Sequence, residues 1–146
     1  MIDQGAQALV KAARGAAKHA HAPYSKFAVG AAVLLDDGTV VTGTNFENAS
    51  YGISLCAETV ALGTVNAQGK LRNVVAIAVI GGRMDHADTA PISPCGRCRQ
   101  IINEAAQLAG RDLPVFCAGA AGDEISAHML SDLLPHAFGP ADLGIR

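Results

Sequence analysis

Along the chain the spacing of apolar positions switches repeatedly between helical and extended periods. Ala6, Leu9, Val10 and Ala13 recur near helical spacing behind Asp3, whose side chain can cap a helix running to about Ala20. Ala22-Pro23-Tyr24-Ser25 breaks that pattern. Phe27 to Leu35 then reads as a strand, Asp36-Asp37-Gly38 as a tight turn and Thr39 to Thr44 as a returning strand, which predicts a β-hairpin. Cys56 to Ala67 has helical character and is closed by Gln68-Gly69. Val74 to Ile80 is an unbroken apolar run, the pattern of a strand buried on both faces. A polar loop from Gly81 to Ile92 leads into a third helix, Cys95 to Leu108, which Gly110 closes. Leu113 to Cys117 and Glu124 to His128 complete the strands, with a turn at Gly119 to Gly122. Ser131 is placed to cap a short helix over Asp132-Leu133-Leu134 that Pro135 stops, and the tail Ala137-Phe138-Gly139-Pro140 reads as irregular.

The order α-β-β-α-β-α-β-β predicts an α/β fold: one five-stranded mixed sheet with helices on both faces, a three-layer α/β/α sandwich. The chain has 146 residues, no internal repeat and no long linker, so residues 1–146 are expected to form a single domain. Strand-to-helix junctions fall just before Cys56 and just before Cys95. Open α/β sheets place their sites outside the strand ends, where helix starts meet.

Half of the residues are hydrophobic and 16% are charged, a globular rather than disordered balance. The mean hydropathy of +0.26 is high for a small chain and hints at buried subunit interfaces. With a formal net charge of −2 and no basic stripe, long nucleic acids are excluded as partners, because phosphate contacts need clustered Lys and Arg. A single nucleoside is not excluded. No apolar run reaches membrane-spanning length, and Met1 to Val10 carries Asp3 and lacks a signal-peptide core, so a soluble cytoplasmic protein without a membrane partner is expected. In that setting four cysteines fit metal binding or catalysis better than a disulfide framework. His19 and His21 lie near no cysteine in sequence and read as solvated residues at a helix end.

The densest chemistry lies in Ser93-Pro94-Cys95-Gly96-Arg97-Cys98-Arg99-Gln100. Two cysteines three apart at a helix start can aim both sulfurs at one metal. The unpaired N–H groups and positive dipole end there favour thiolate, the form that binds metal. Leu55-Cys56-Ala57-Glu58 adds a third sulfur and, two residues on, a carboxylate. Three protein ligands with one open position are the pattern of catalytic zinc, whose bound water has its pKa lowered toward about 7. Glu58 can face that water without ligating and carry its proton to a leaving group. It can equally be a first-turn glutamate stabilised by the helix dipole. Cys-x-x-Cys by itself also occurs in redox proteins and structural zinc sites, and the residues alone leave those readings open. Cys117, within a predicted strand, reads as a buried inert thiol. Asn45 and Glu47, two apart in an extended segment, face one side and can bind ligand hydroxyls.

Cys-Ala-Glu at 56–58 followed by Pro-Cys-x-x-Cys at 94–98 resembles the zinc-dependent cytidine deaminase superfamily, for which this zinc and glutamate signature is established. Pro23 to Phe27, Val29 to Ala32, Asn45 to Tyr51, Ser93 to Gln100, Leu133-Leu134-Pro135 and Phe138-Gly139-Pro140 resemble the branch acting on free nucleosides, so the likeness extends from about residue 5 to residue 143. The resemblance implies zinc ligation by Cys56, Cys95 and Cys98, with one zinc per chain, and proton transfer by Glu58. It implies ribose hydroxyl binding by Asn45 and Glu47, packing of Phe27 near the nucleoside and a backbone contact from Ala57 to the pyrimidine. Tyr51 would stand at a subunit interface close to the site, and Phe138 would reach a neighbouring subunit's base, in homotetramers with shared active sites. The implied reaction is hydrolytic deamination of cytidine and 2′-deoxycytidine to uridine and 2′-deoxyuridine in pyrimidine salvage. Deaminases of the antibiotic blasticidin S share Cys-Ala-Glu-x-Val-x-Leu-Gly-Thr and form the alternative, against which Asn45, Glu47 and the Phe138 tail favour cytidine. In one respect the chain departs from the pattern. Many members with three cysteine ligands carry Arg after the glutamate, where this chain has Thr59. Three thiolates leave a zinc site net negative, and the two helix N-termini with Arg97 or Arg99 are the candidates to offset it.

Overall fold

The computed structural model describes residues 3–146. Asp3 accepts a hydrogen bond from the Ala6 N–H at 2.8 Å, so helix α1 (Gln4–Ala17) starts at the expected cap. It ends short of Ala20 because the N–H groups of His19 and Ala20 turn back to Ala16 and Ala17 in a tighter final turn. The hairpin follows as β1 (Phe27–Leu35) and β2 (Val40–Thr44), with Gly38 at φ 87° in its turn. Then come α2 (Ala57–Ala67), β3 (Val74–Arg83), α3 (Gly96–Ala109), β4 (Pro114–Gly119), β5 (Ile125–Met129) and a single turn, α4 (Leu130–Leu133). Gly110 closes α3 in the left-handed conformation, as its position predicts. The strands form one sheet in the order β2-β1-β3-β4-β5, parallel only between β3 and β4. This is the five-stranded mixed α/β sheet that the element order predicts.

Strand alternation sorts the apolar residues into two cores. Ala31, Val33, Ile77, Val79 and Val115 face α2 and α3, and with Ala57, Ala61, Val65, Ile102 and Ala105 they form the larger one. Ala32, Ala76, Ala78, Ile80 and Ala118 face the other way, onto Leu9, Val10 and Ala13 of α1. The α1 face of the sheet is built largely of alanine, which lets that helix settle close. The same closeness sets α2. A side chain at Gly43 of β2 would stand 2.6 Å from the Ala61 nitrogen and 2.7 Å from the Ala57 carbonyl oxygen, so glycine is what allows α2 to lie against the strand.

Two expectations are corrected. Gly81, Gly82 and Arg83 belong to β3 rather than to the following loop, and they pair with Val29, Ala28 and Phe27. Gly81 lies under the Phe27 ring and Gly82 against Ala120, with Asp88 of the following loop folded back on it, so these glycines make room for packed neighbours rather than marking a turn. Ser131 does not cap α4. It sits inside the turn, where its N–H and its hydroxyl both donate to the Asp112 carboxylate.

Two substitutions in this region separate close approach from helix propensity. Gly43→Ala is expected to cost about 1–3 kcal/mol through overpacking against the α2 backbone. Gly63→Ala, on α2 with open space at its Cβ position, is expected to stabilise by about 0.5–1 kcal/mol. Chemical denaturation of the two variants beside the parent protein checks the signs.

Candidate active site

Two helices start on a cysteine. Cys56 precedes α2 at φ −78°, ψ 154°, and Cys95 precedes α3 at φ −65°, ψ 167°. Neither sulfur takes a capping bond, so both are free to turn toward a shared point, while Cys98 enters it from the first turn of α3. The three sulfurs lie within 4.8 Å of one another, and those of Cys56 and Cys95 are 4.0 Å apart. Sulfurs about 2.3 Å from a tetrahedral zinc are separated by roughly 3.8 Å, so the trio fits that ion. Among the described residues no other His, Cys, Asp or Glu joins the group. Its burial is graded: Cys98 is buried, Cys56 half-buried and Cys95 exposed.

The charge state of the trio points the same way. Cys56 is drawn down to about 6, chiefly by a hydrogen bond from Cys98, with further help from Cys95 and the charge of Arg97. Cys98 is pushed up by that same bond, by burial and by the negative charges around it. A thiolate on Cys56 therefore forms readily while one on Cys98 is resisted, until a cation among the sulfurs removes the repulsion. Cys117 stands apart in β4, buried and raised to about 11 by that burial, the inert thiol that its strand position predicts.

Glu58 occupies the first turn of α2 and is only 3% exposed. Burial, more than any other influence, raises its pKa above the usual carboxylate value. It lines a cleft of about 260 Å³ together with Asn45, Glu47, Cys56, Ala57 and Cys95. The starts of α2 and α3 and the segment after β2 thus bring together six of the ten residues singled out from sequence. Val29, Ser54, Leu55, Ile92 and Ser93 also line this cleft and were not foreseen. The apolar ones carry no local signal that separates them from core residues. Ser93 adjoins the Pro-Cys motif and could have been suspected.

Asn45 is nearly buried, and both ends of its amide are engaged by β1: Oδ1 accepts from the Val29 N–H at 3.0 Å, and Nδ2 donates to the Phe27 carbonyl at 2.8 Å. The amide is clamped, with one acceptor position and one N–H to spare. Glu47 accepts from the Tyr24 and Ser25 N–H groups at 3.0 and 3.1 Å and from the Ser25 hydroxyl. That hydroxyl bond is the main reason its pKa is lowered. Phe27 does not line the cleft itself. Its ring packs over Gly81 beside Ile92, which does.

Tyr51 and Phe138 lie outside the cleft. Tyr51 opens a short turn, Tyr51–Ile53, is 73% exposed and tilts against Tyr24 with ring centres 5.3 Å apart. Phe138 is 62% exposed. Its carbonyl is gripped by Gln100 Nε2 at 2.7 Å and Asn103 Nδ2 at 3.3 Å, and the Ala141 N–H donates to Gln107 Oε1 at 2.9 Å. One stripe of α3 amides thus holds the tail, in which Ala137, Phe138 and Gly139 are irregular as expected and Pro140 opens a tight turn over Pro140–Leu143. His19 and His21 are exposed, as predicted, although the His21 ring also meets the Phe46 ring at 5.9 Å.

The two arginines differ. Arg99 Nε donates to the Pro94 carbonyl at 2.8 Å and its Nη1 to the Leu133 carbonyl at 3.0 Å, so its guanidinium braces the loop before Cys95 against α4. Arg97 is exposed, and its charge favours the Cys56 thiolate. The Thr59 hydroxyl lies 3.9 Å from the Cys98 sulfur.

Residues 3–109 match the family model described as the cytidine and deoxycytidylate deaminase zinc-binding region. The chain belongs to that family. A cytidine deaminase of Halalkalibacterium halodurans is 46% identical over 138 residues, covering 94% of this chain and 96% of its own length. A cytidine deaminase of Mycobacterium tuberculosis is 44% identical over 128 residues, covering 88% of this chain and 85% of its own. The crystal structure of cytidine deaminase from Burkholderia pseudomallei superposes with a TM-score of 0.79 at 44% identity, covering 90% of this chain and 98% of that one. The zinc-binding character of the family agrees with the three-sulfur cluster on two helix starts.

Arg99→Met leaves two backbone carbonyls without their charged donor and is expected to cost about 1–3 kcal/mol in chemical denaturation. Arg97→Gln, at an exposed position, is expected to change stability by less than about 0.5 kcal/mol.

Proposed function

We propose that this chain acts as one domain, residues 1–146, that hydrolytically deaminates cytidine and 2′-deoxycytidine to uridine and 2′-deoxyuridine. It binds one zinc per chain through Cys56, Cys95 and Cys98. The observation that carries the reading is Glu58: a buried carboxyl with a raised pKa, in a small cleft that it shares with two of three converging thiols. Zinc held there supplies Lewis acidity and an activated water at neutral pH. Glu58 takes one proton of the attacking water and delivers it to ring N3; it then takes the second proton from the hydroxyl added at C4 and passes it to the amine, which leaves as ammonia as the C4 carbonyl forms. A carboxyl that burial raises above the usual carboxylate value suits both directions of that transfer. Ala57, at the first position of α2, offers backbone to the pyrimidine, and Asn45 and Glu47 take ribose hydroxyls. Phe27 supports the nucleoside side of the cleft through Ile92.

The cleft suits a nucleoside rather than a polymer, and the net charge of −2 offers no track for phosphates. The relatives are cytidine deaminases, which favours cytidine over blasticidin S. Exposed Phe46, Tyr51, Ile53 and Phe138 supply apolar surface for homotetramer contacts, through which Tyr51 and Phe138 complete neighbouring sites. None of the described helices is long and apolar enough to cross a membrane. The chain is assigned to pyrimidine salvage in the cytoplasm.

Absorbance assays on cytidine, 2′-deoxycytidine, cytosine and blasticidin S, with and without chelator, are expected to show turnover of the two nucleosides that chelation abolishes. Turnover of blasticidin S alone would reverse the substrate assignment. Glu58→Gln is expected to lower kcat by about 10²–10⁴-fold or more while metal analysis still finds one zinc per chain. Retained turnover would remove Glu58 from the mechanism.

A further inference from the structure

We infer that Ser25 is a positioning residue: it sets the direction from which Glu47 receives a nucleoside hydroxyl. The inference rests on the reading of Glu47 as a nucleoside contact. A carboxylate has about four acceptor positions, and three of those on Glu47 are filled by two consecutive residues. The N–H groups of Tyr24 and Ser25 occupy Oε1, and the Ser25 hydroxyl occupies Oε2. The remaining position is on Oε2, beside the bond to Ser25. Glu47 is therefore prepared for one further donor, and Ser25 decides where that donor must stand.

The Ser25 hydroxyl has a defined sense. Its oxygen accepts the Phe27 N–H at 3.1 Å, which leaves its proton to Glu47. One atom thus ties Glu47, at the end of the hairpin, to the first residue of β1, whose carbonyl in turn holds the Asn45 amide. The loop that presents Ser25 is itself braced. Lys26 adopts φ 59°, an unfavourable region for a residue with a side chain, and is kept there by hydrogen bonds on both sides. Its N–H donates to the Ala22 carbonyl at 3.0 Å, and its carbonyl accepts from the Met84 N–H at 2.8 Å. The bend so produced turns the N–H groups of Tyr24 and Ser25 toward one carboxylate oxygen. Glu47 stands near solvent, where a carboxylate that had only water to hold it would sample several rotamers.

Steady-state kinetics on cytidine with Ser25→Ala, Ser25→Thr, Glu47→Gln and the Ser25→Ala/Glu47→Gln double variant test this. Loss of a hydrogen bond to a charged group predicts about a tenfold rise in KM for Ser25→Ala, with kcat within about threefold. Ser25→Thr, which keeps the hydroxyl, is expected to restore KM to within about threefold of the parent. In the Glu47→Gln background, Ser25→Ala is expected to add less than about twofold, because residues that act through one another are not additive. An unchanged KM for Ser25→Ala, or the same rise with and without Glu47, would overturn the positioning role while leaving Glu47 in place. An unchanged KM for Glu47→Gln would overturn the Glu47 reading and this inference with it. Failure of Ser25→Thr to restore KM would assign the effect to loop packing and reject the hydroxyl.

Discussion

Mutual repulsion among three thiolates is the constraint on which this structure turns. Cys56, Cys95 and Cys98 converge within 4.8 Å, and the opposed shifts of Cys56 and Cys98 record how hard it is to ionise neighbouring thiols together without a cation. Everything that brings them to one point works against that repulsion. Two helix starts supply positive dipole ends. Gly43 lets α2 lie on the sheet closely enough to place Cys56, and Arg99 holds the loop that delivers Cys95. The fold provides a rigid frame for a charge arrangement that a flexible chain would relax.

Against that frame, Glu58 is the second costly feature. A carboxyl that is 3% exposed and faces a Cys56 thiolate is disfavoured as an anion, and the proposed proton transfer draws on that disfavour. The hairpin end closes the opposite side of the cleft with two polar residues of different character. Asn45 is clamped through both ends of its amide by β1, whereas Glu47 is held by a neighbouring loop and keeps one acceptor position open. The metal centre is thus tied to the core by helices, while the polar wall is tied by a strand end and a bend.

Much of this was legible in the order of residues, and the reasons differ by element. Asp3 before Ala6, Leu9 and Val10 marks a helix start because capping is local. Val74 to Ile80 marks a central strand because burial on both faces leaves no alternation. The two cysteine motifs could be placed on helix starts for the same local reason. Gly81 and Gly82 misled, since locally they resemble a turn, and it takes the Phe27 ring and Ala120, both far away in the chain, to explain why no side chain fits there. Ser131 misled in a similar way: Asp112 claims both its donors. Val29, Leu55 and Ile92 in the cleft wall look like any core residues in sequence. Whether Tyr51 and Phe138 belong to a site depends on surfaces beyond one chain, because both stand exposed outside the cleft.

The proposed chemistry requires that this trio ligate the cation incompletely. X-ray absorption at the zinc edge of the purified protein measures that directly. The expected spectrum has three sulfurs at about 2.3 Å and one oxygen-type neighbour at about 2.0–2.2 Å. A fourth sulfur, or the outer-shell scattering of a coordinated imidazole, would mean a closed structural centre and would contradict the account.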